Sequence, residues 1–396
     1  MIRKIATIIL KAIVVLISVI ITAITLTGIS PVYSFSAPEP FSGDRIYNPY
    51  SDYDPAIGWK RCVLHTHTKV DKGINECPYY PATVLSDYRE LGYEIVGFSN
   101  HNALTTHPED PLLQINEYEH GYNILKYHKL VIGAQEVLPF DQLLPILTSQ
   151  KQFMIDMLAK KGCDIIAFNH PDRTLGMLPG TLTKVTGYRL IEGQSNDNTT
   201  LHYWDEALSS GIYVHNLIND DNHNSKDSWS MARRSSFLNT PTPYYKDIKK
   251  CLIDGNFYTM STPDFGEGDH KTKVRENKMV PKVIGIGADN DTLHIKFDRA
   301  ADSIVAITQQ GRRVARSTCS NTLYHIMAPD EPYIRFTAYF PEQTVIYSNA
   351  FARCSDGNNP YTEKEHPVNI PLTILYNLML LAIAVLVIYL NIRIFK

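Results

Sequence analysis

Apolar and polar positions alternate in blocks through the middle of the chain. Short β-rich runs occur at 62–68 (CVLHTHT), 93–102 (YEIVGFSNHN), 130–137 (LVIGAQEV), 163–171 (CDIIAFNHP), 188–195 (YRLIEGQS) and 212–221 (IYVHNLINDD). Helical spacing marks 81–92 (PATVLSDYRELG), 118–128 (YEHGYNILKYH), 150–162 (QKQFMIDMLAKKG) and 201–211 (LHYWDEALSSG). Strand–helix repetition predicts an α/β unit over 59–265, with parallel strands and crossover helices in a barrel or doubly wound sheet. After Lys271 the runs TLHIKFD, SIVAITQ, TLYHIMA, YIRFTAYF and TVIYSNAF alternate with period two between turn residues. That texture predicts a small antiparallel β domain over 270–356, of sandwich type.

Both ends are unusually apolar. Ala12–Ile29 carries no charge and follows Arg3, Lys4 and Lys11; Leu372–Leu390 precedes Arg393 and Lys396. Each is long enough to cross a bilayer. Basic residues at the outer end of each place both termini in the cytoplasm and residues 31–370 outside it. A cleaved signal peptide is the alternative for residues 1–30, but its apolar core is ordinarily shorter, so an uncleaved anchor is expected. Residues 31–58, rich in Pro, Ser, Tyr and Asp, read as a juxtamembrane linker; 357–370 reads as a second linker, leading into a transmembrane helix at 371–392.

A net charge of -3 over 396 residues gives no reason to expect a nucleic-acid partner. The six cysteines suit an oxidising compartment, and Cys319 and Cys354 lie close enough along the chain to pair. Cys62, Cys163 and Cys251 read as small core residues, and no CxxC motif points to a zinc knuckle.

The chemistry gathers at the ends of the strand-like runs. His65 and His67 are two apart, a spacing that puts both rings on one face of a strand. Then come His101, Glu136, His170 before Pro171, Glu192, and the pair Asp221 and His223. In parallel α/β folds the strand C-terminal ends face the active site, so these residues converge as candidate metal ligands. Imidazole suits zinc, iron or manganese. Arg173 is placed to contact a phosphate oxygen. Asp172, Asp220 and Glu192 read as supporting groups. His107, His120, His128, His202 and His215 have no partner motif and read as structural or surface residues, and Trp204 as the buried face of a helix.

The order HxHT, NH, E, HP, E, DxH resembles the PHP (polymerase and histidinol phosphatase) family over roughly 59–265. The downstream β region, with YIRFTAYF before VIYSNAF, resembles the second domain of its CehA/McbA-like branch. The resemblance implies a distorted (β/α)7 barrel with two or three divalent metals (Zn, Mn or Fe) at the strand ends. It implies hydrolysis of phosphoesters, or of esters or amides in the branch associated with carbamates. It also implies that His65, His67, Glu136 and Asp221 hold one metal, that Glu136 bridges to a second near His170, and that His101 and His223 hold another.

The chain departs from the family pattern HxHTxxSDG. Asp71 stands at the Ser position, where it could serve as a ligand, and Lys72 at the Asp position. Asn100 replaces the usual aspartate before the second-motif His, where it could orient His101. Residues 137–169 hold no His, which leaves the intermediate site one ligand short. Two functions are therefore open: a membrane-anchored hydrolase acting on a small phosphorylated or lipid-linked substrate, or a catalytically impaired domain that binds a ligand or partner in the envelope.

Overall fold

A computed structural model describes residues 2–71, 73–173, 177–178, 180–195, 198–199, 201–227, 229–265 and 269–395. The chain opens with α1 (Ile2–Thr27) and β1 (Arg45–Tyr47). Then come β2 (Lys60–Val63), α2 (Pro81–Glu90), β3 (Ile95–Val96), β4 (Glu117–His120), β5 (Lys129–Ile132), α3 (Thr148–Lys161), β6 (Ile165–Phe168), β7 (Leu190–Ser195) and β8 (Asn198–Thr199). They are followed by α4 (Leu201–Ser209), β9 (His215–Ile218), β10 (Arg234–Leu238), α5 (Tyr245–Asp254), β11 (Phe257–Ser261) and α6 (His270–Lys278). The last part holds β12 (Val283–Asp289), β13 (Thr292–Thr308), β14 (Arg312–Ile326), β15 (Tyr333–Tyr339), β16 (Val345–Ser348), β17 (Phe351–Cys354) and α7 (Ile370–Phe395).

The fold is mixed α/β. Parallel ladders join β2 to β3, β6 to β7, and β7 to β9. Antiparallel ladders join β4 to β5, β5 to β6, and β10 to both β2 and β11. Isolated parallel bridges, Thr66 to Asn222 and His101 to Glu119, link the two sheets just past the ends of β2 and β3. Helices cover the outside with their apolar faces. In α5, Ile248, Cys251 and Leu252 are buried, the i, i+3, i+4 spacing of one helix face. That helix stops at Gly255, whose φ of 82° suits glycine and where a Cβ would come within 2.3 Å of the His215 ring.

The helix expected over 118–128 is not formed. Glu117–His120 is a fully buried strand that pairs with β5, Glu117 opposite Ile132 and His120 opposite Lys129. Gly121 turns the chain at φ 137°, where a Cβ would come within 2.6 Å of the His128 ring. The Asn123 side chain closes the turn by accepting from Tyr127 N and donating to Tyr127 O. Strand pairing and turn chemistry override the helical spacing.

Strands β12 to β17 pair antiparallel throughout. They continue the sheet of β2, β10 and β11 through the β11–β16 ladder, Tyr258 opposite Ser348. One core unites Phe237, Tyr258 and Met260 with Ile304, Phe336 and Phe351. Segment 31–58 is packed down rather than hanging free. β1 pairs with β17, and the buried Tyr50 hydroxyl donates to Phe257 O and accepts from Asn349 N. Cys319 is exposed, Cys354 is buried, and neither forms a disulfide.

α1 and α7 are both long and apolar enough to cross a membrane. They pack on each other at the end nearest the body. Ser30 N donates to Asn377 Oδ1, Val32 N to Thr373 Oγ1, and Tyr33 bridges Val368.

Candidate metal centre

The two histidines of the first motif lie just beyond β2. Asp221 N donates to His65 O, and His67 N to Asn222 O, so this extension is held against the segment after β9. Gly97 N and Ser99 N donate to Val63 O and Thr66 O, which brings the segment after β3 alongside. The strand-end residues are thereby drawn to one point.

Glu119 occupies that point. Its Oε2 lies 3.3 Å from His65 Nε2, 3.4 Å from His67 Nε2 and 3.2 Å from His101 Nε2; its Oε1 lies 3.1 Å from both His128 Nδ1 and His170 Nε2. Asp221 Oδ1 lies 3.1 Å from His65 Nε2 and 3.3 Å from His67 Nε2. Glu76 Oε2 lies 2.9 Å from His101 Nε2 and 3.4 Å from His223 Nε2. Three groups could each hold an ion: His65, His67, Glu119 and Asp221; His101, Glu119 and His128; and His67, Glu76 and His223.

The spacing fits metal ligation. Two donors about 2.05 Å from a tetrahedral ion stand about 3.3 Å apart, and the His–carboxylate separations around Glu119 and Asp221 run from 3.1 to 3.4 Å. His67 Nε2 is buried without a hydrogen-bond partner although two carboxylates stand beside it. A buried ring nitrogen left so is costly unless it serves as a ligand. His65 is oriented from behind: its Nδ1 is 3.0 Å from Glu192 Oε1, which fixes the tautomer and turns Nε2 toward the cluster. Glu192 Oε2 also accepts from His170 N at 2.8 Å.

Charge in the cluster is strongly coupled. Burial alone would raise the Glu119 and Asp221 pKa values. The surrounding imidazoles, His65 foremost, hold both carboxyls well below the usual range. Burial would likewise lower the His65 pKa, but Asp221, Glu119 and Glu192 lift it well above the ordinary imidazole value. Ionised carboxylates and converging imidazoles suit a divalent cation. Two residues of the cluster, His170 and Asp221, have non-glycine backbones at φ 26° and 51°, a strain that clusters at functional sites.

Several expected roles are redistributed. Glu136 is not in the centre. It is 62% exposed and pairs with Lys161, because β5 ends at Ile132 and runs antiparallel to β6, away from the cluster. Glu119 takes the place expected of Glu136. His128, read as structural, is in the cluster, its Nδ1 beside Glu119 Oε1. Asp71 is exposed and belongs to none of the three groups, while Glu76, five residues on, reaches His101 and His223. Lys72 lies outside the described residues. The hydrogen bonds of the Asn100 side chain go elsewhere than the His101 ring: it accepts from Thr68 N and donates to Thr68 Oγ1 and Thr105 Oγ1, tying the first two motifs together. Asp220 accepts from the backbone N–H groups of Ala232, Arg233 and Arg234, closing the loop that carries His223. Arg173 Nη1 donates to Asp221 Oδ2 at 2.6 Å and is partly exposed at the edge of the cluster. Trp204 is buried on α4, donating to Val214 O.

No family model matches the chain, and no curated protein matches it. Among solved structures, it is similar to a two-domain protein from Bacteroides vulgatus ATCC 8482 described as containing a predicted PHP-like metal-dependent phosphoesterase. The TM-score is 0.40 and the identity 12%, over 81% of this chain and 99% of that one. A likeness so distant says nothing by itself about this chain's activity.

Proposed function

We propose that this chain is a membrane-anchored, metal-dependent phosphoesterase of PHP type, with its site outside the cytoplasm. The observation that carries the reading is the Glu119 carboxylate, common to two candidate ion groups and flanked by His65, His67, His101, His128 and His170. A carboxylate shared in this way suits adjacent ions. The impaired-domain reading loses its main support once His128 and Glu76 supply the positions that the motif pattern left short. Strands β2, β3, β4, β5, β6, β7 and β9, joined by their ladders and by the bridges after β2 and β3, are read as the distorted (β/α)7 barrel.

Residues His65, His67, Glu119 and Asp221 would hold one ion, and Glu119, His101, His128 and His170 a second. His223 and Glu76 would hold a third. The chemistry such ions supply when bound is activation of water at neutral pH and stabilisation of charge on a phosphoryl oxygen. The chain's own residues do the rest. Glu192 orients His65, Asp220 fixes the His223 loop, and Arg173 at the rim offers its guanidinium to a phosphate. The apolar segments at both ends, each with basic residues on its outer side, support the double anchor and the extracytoplasmic body.

The test is turnover of p-nitrophenyl phosphate and bis(p-nitrophenyl) phosphate by the full chain in detergent, stripped and reloaded with Zn, Mn or Fe. Metal-dependent hydrolysis that Asp221→Ala abolishes is expected. Folded wild type inactive with every metal on both esters would overturn the reading.

A further inference from the structure

The two apolar helices join the body beside the turn that leads from Glu119 to His128. Thr27, the last residue of α1, accepts from Leu143 N through its Oγ1 at 3.3 Å, and Leu143 O accepts from Ile124 N at 2.9 Å. Ile124 is in the β4–β5 turn, whose two bases carry Glu119 and His128. Four residues of chain span at most about 14 Å, so Ile124 lies within that distance of His128. Tyr33 N donates to Ser149 Oγ and Gln150 Nε2 to Gly28 O, which fixes the first turn of α3 beside the helix exit.

The apolar surface does not stop at the helices. The first two turns of α7 stand beside residues 28–33, and their Ile370, Ile374 and Leu375 are exposed. The apolar belt therefore reaches the height of Ser149. At that height the body presents Tyr122 and Ile124 from the β4–β5 turn, and Ile146 and Leu147 just before α3. Ile124 is 59% exposed and Ile146 50%. Ile74, two residues before Glu76, and Trp229, in the loop after His223, are exposed as well. Large exposed apolar side chains grouped in this way mark an interaction surface. Its continuity with two apolar helices identifies the occupant as the bilayer.

We propose that the metal centre opens onto the membrane surface and that its substrate is a phosphate ester carried by a membrane lipid. This rests on the hydrolase reading above. The Tyr122–Ile124 turn and the Ile146–Leu147 loop seat in the headgroup and upper acyl region, and Ile74 and Trp229 line the path of the lipid. In the reaction, the oxygen of one water bonds to phosphorus, the ester P–O bond breaks, and the departing oxygen takes up a proton.

The test uses the full chain in phosphatidylcholine vesicles, in a Cys319→Ser background because Cys319 is the exposed cysteine. Nitroxide labels at Ile124→Cys and Leu147→Cys are compared with one at Ile284→Cys, which lies beside Trp59 at the opposite end of β2. The first two are expected to be accessible to oxygen and shielded from a water-soluble nickel chelate, and the third the reverse. Equal nickel access at all three overturns the orientation.

A second arm compares hydrolysis of dioleoyl phosphatidic acid in the vesicles with hydrolysis of p-nitrophenyl phosphate. Ile124→Asp/Leu147→Asp is expected to slow the vesicle reaction about tenfold or more while leaving the soluble ester within about twofold. Cleavage of the soluble ester alone overturns the lipid substrate. Absence of hydrolysis of either ester by metal-loaded chain overturns the phosphoesterase reading and the lipid substrate with it; label depth still decides the orientation on its own.

Discussion

Glu119 and His128 face each other at the turn end of the β4–β5 hairpin, Oε1 3.1 Å from Nδ1. Neither belongs to a recognisable sequence motif, yet the centre is built around the first of them. Glu119→Gln is therefore expected to weaken metal binding at two positions at once. Glu136→Gln, which alters only an exposed pair with Lys161, should leave binding unchanged. Cobalt(II) titration of the stripped full chain, followed by visible absorption, reads the difference. Equal losses from both variants would restore Glu136 to the site.

Glu76 serves one position. It is exposed, and its hydrogen bonds to His101 and then His223 hold its carboxyl well below the usual range. Loss of an orienting partner typically costs 10- to 100-fold in metal affinity, so Glu76→Ala, which removes a ligand, should weaken one ion by about that much or more. The ions at His65 and Asp221 should stay. Chelator competition resolves the classes: one weak ion and the remainder tight is the expected result, and unchanged affinity throughout removes Glu76 from the ligand set.

Arg173 is partnered with Asp221 but stands at the rim, free to share its guanidinium with a phosphate. A hydrogen bond to a charged group is worth about 1.5–3 kcal/mol. Arg173→Ala should thus lower kcat/KM on p-nitrophenyl phosphate by about 10- to 100-fold, mainly through KM, with metal content unchanged. Arg173→Lys should recover part of the loss. Unaltered kinetics in Arg173→Ala would make the residue structural.

The order of β2, β3, β5, β6, β7 and β9 was legible because short buried runs bounded by turn residues are a local signal, though five of these strands end three to six residues before the runs do. His65, His67, His101, His170, Asp221 and His223 stood out because each follows such a run. Glu119 was hidden because residues 118–128 carry helical spacing, and a four-residue strand between two loops is weaker than that pattern. Gly121 and Asn123, turn residues inside the supposed helix, were the available warning. The choice of Glu136 followed from assuming that β5 runs parallel to its neighbours; the antiparallel β4–β5–β6 path reverses its ends. Glu76 could not be read at all, since its approach to His101 and His223 depends on how the loop before α2 folds back.

His215 gives a pH effect away from the centre. Burial pushes its pKa down to about 4 from 6.5, against a hydrogen bond to Ile253 O. The unfolded chain binds this proton more readily, so the stability gained from keeping the ring neutral is present above pH 6.5 and is lost as pH falls toward 4. Between pH 7 and pH 5 the loss is on the order of 2 kcal/mol. Urea unfolding of the detergent-solubilised chain should show this drop in wild type and a smaller one in His215→Gln; equal drops would assign the pH dependence to other groups.

Metal content per chain, by elemental mass spectrometry on the purified full chain supplied with zinc, manganese and iron, decides whether the Glu119 cluster is a metal centre. Wild type should carry about two or three ions, and His65→Ala/His67→Ala should lose them while keeping the same circular dichroism. Folded wild type with essentially no metal would mean that the cluster holds no ion.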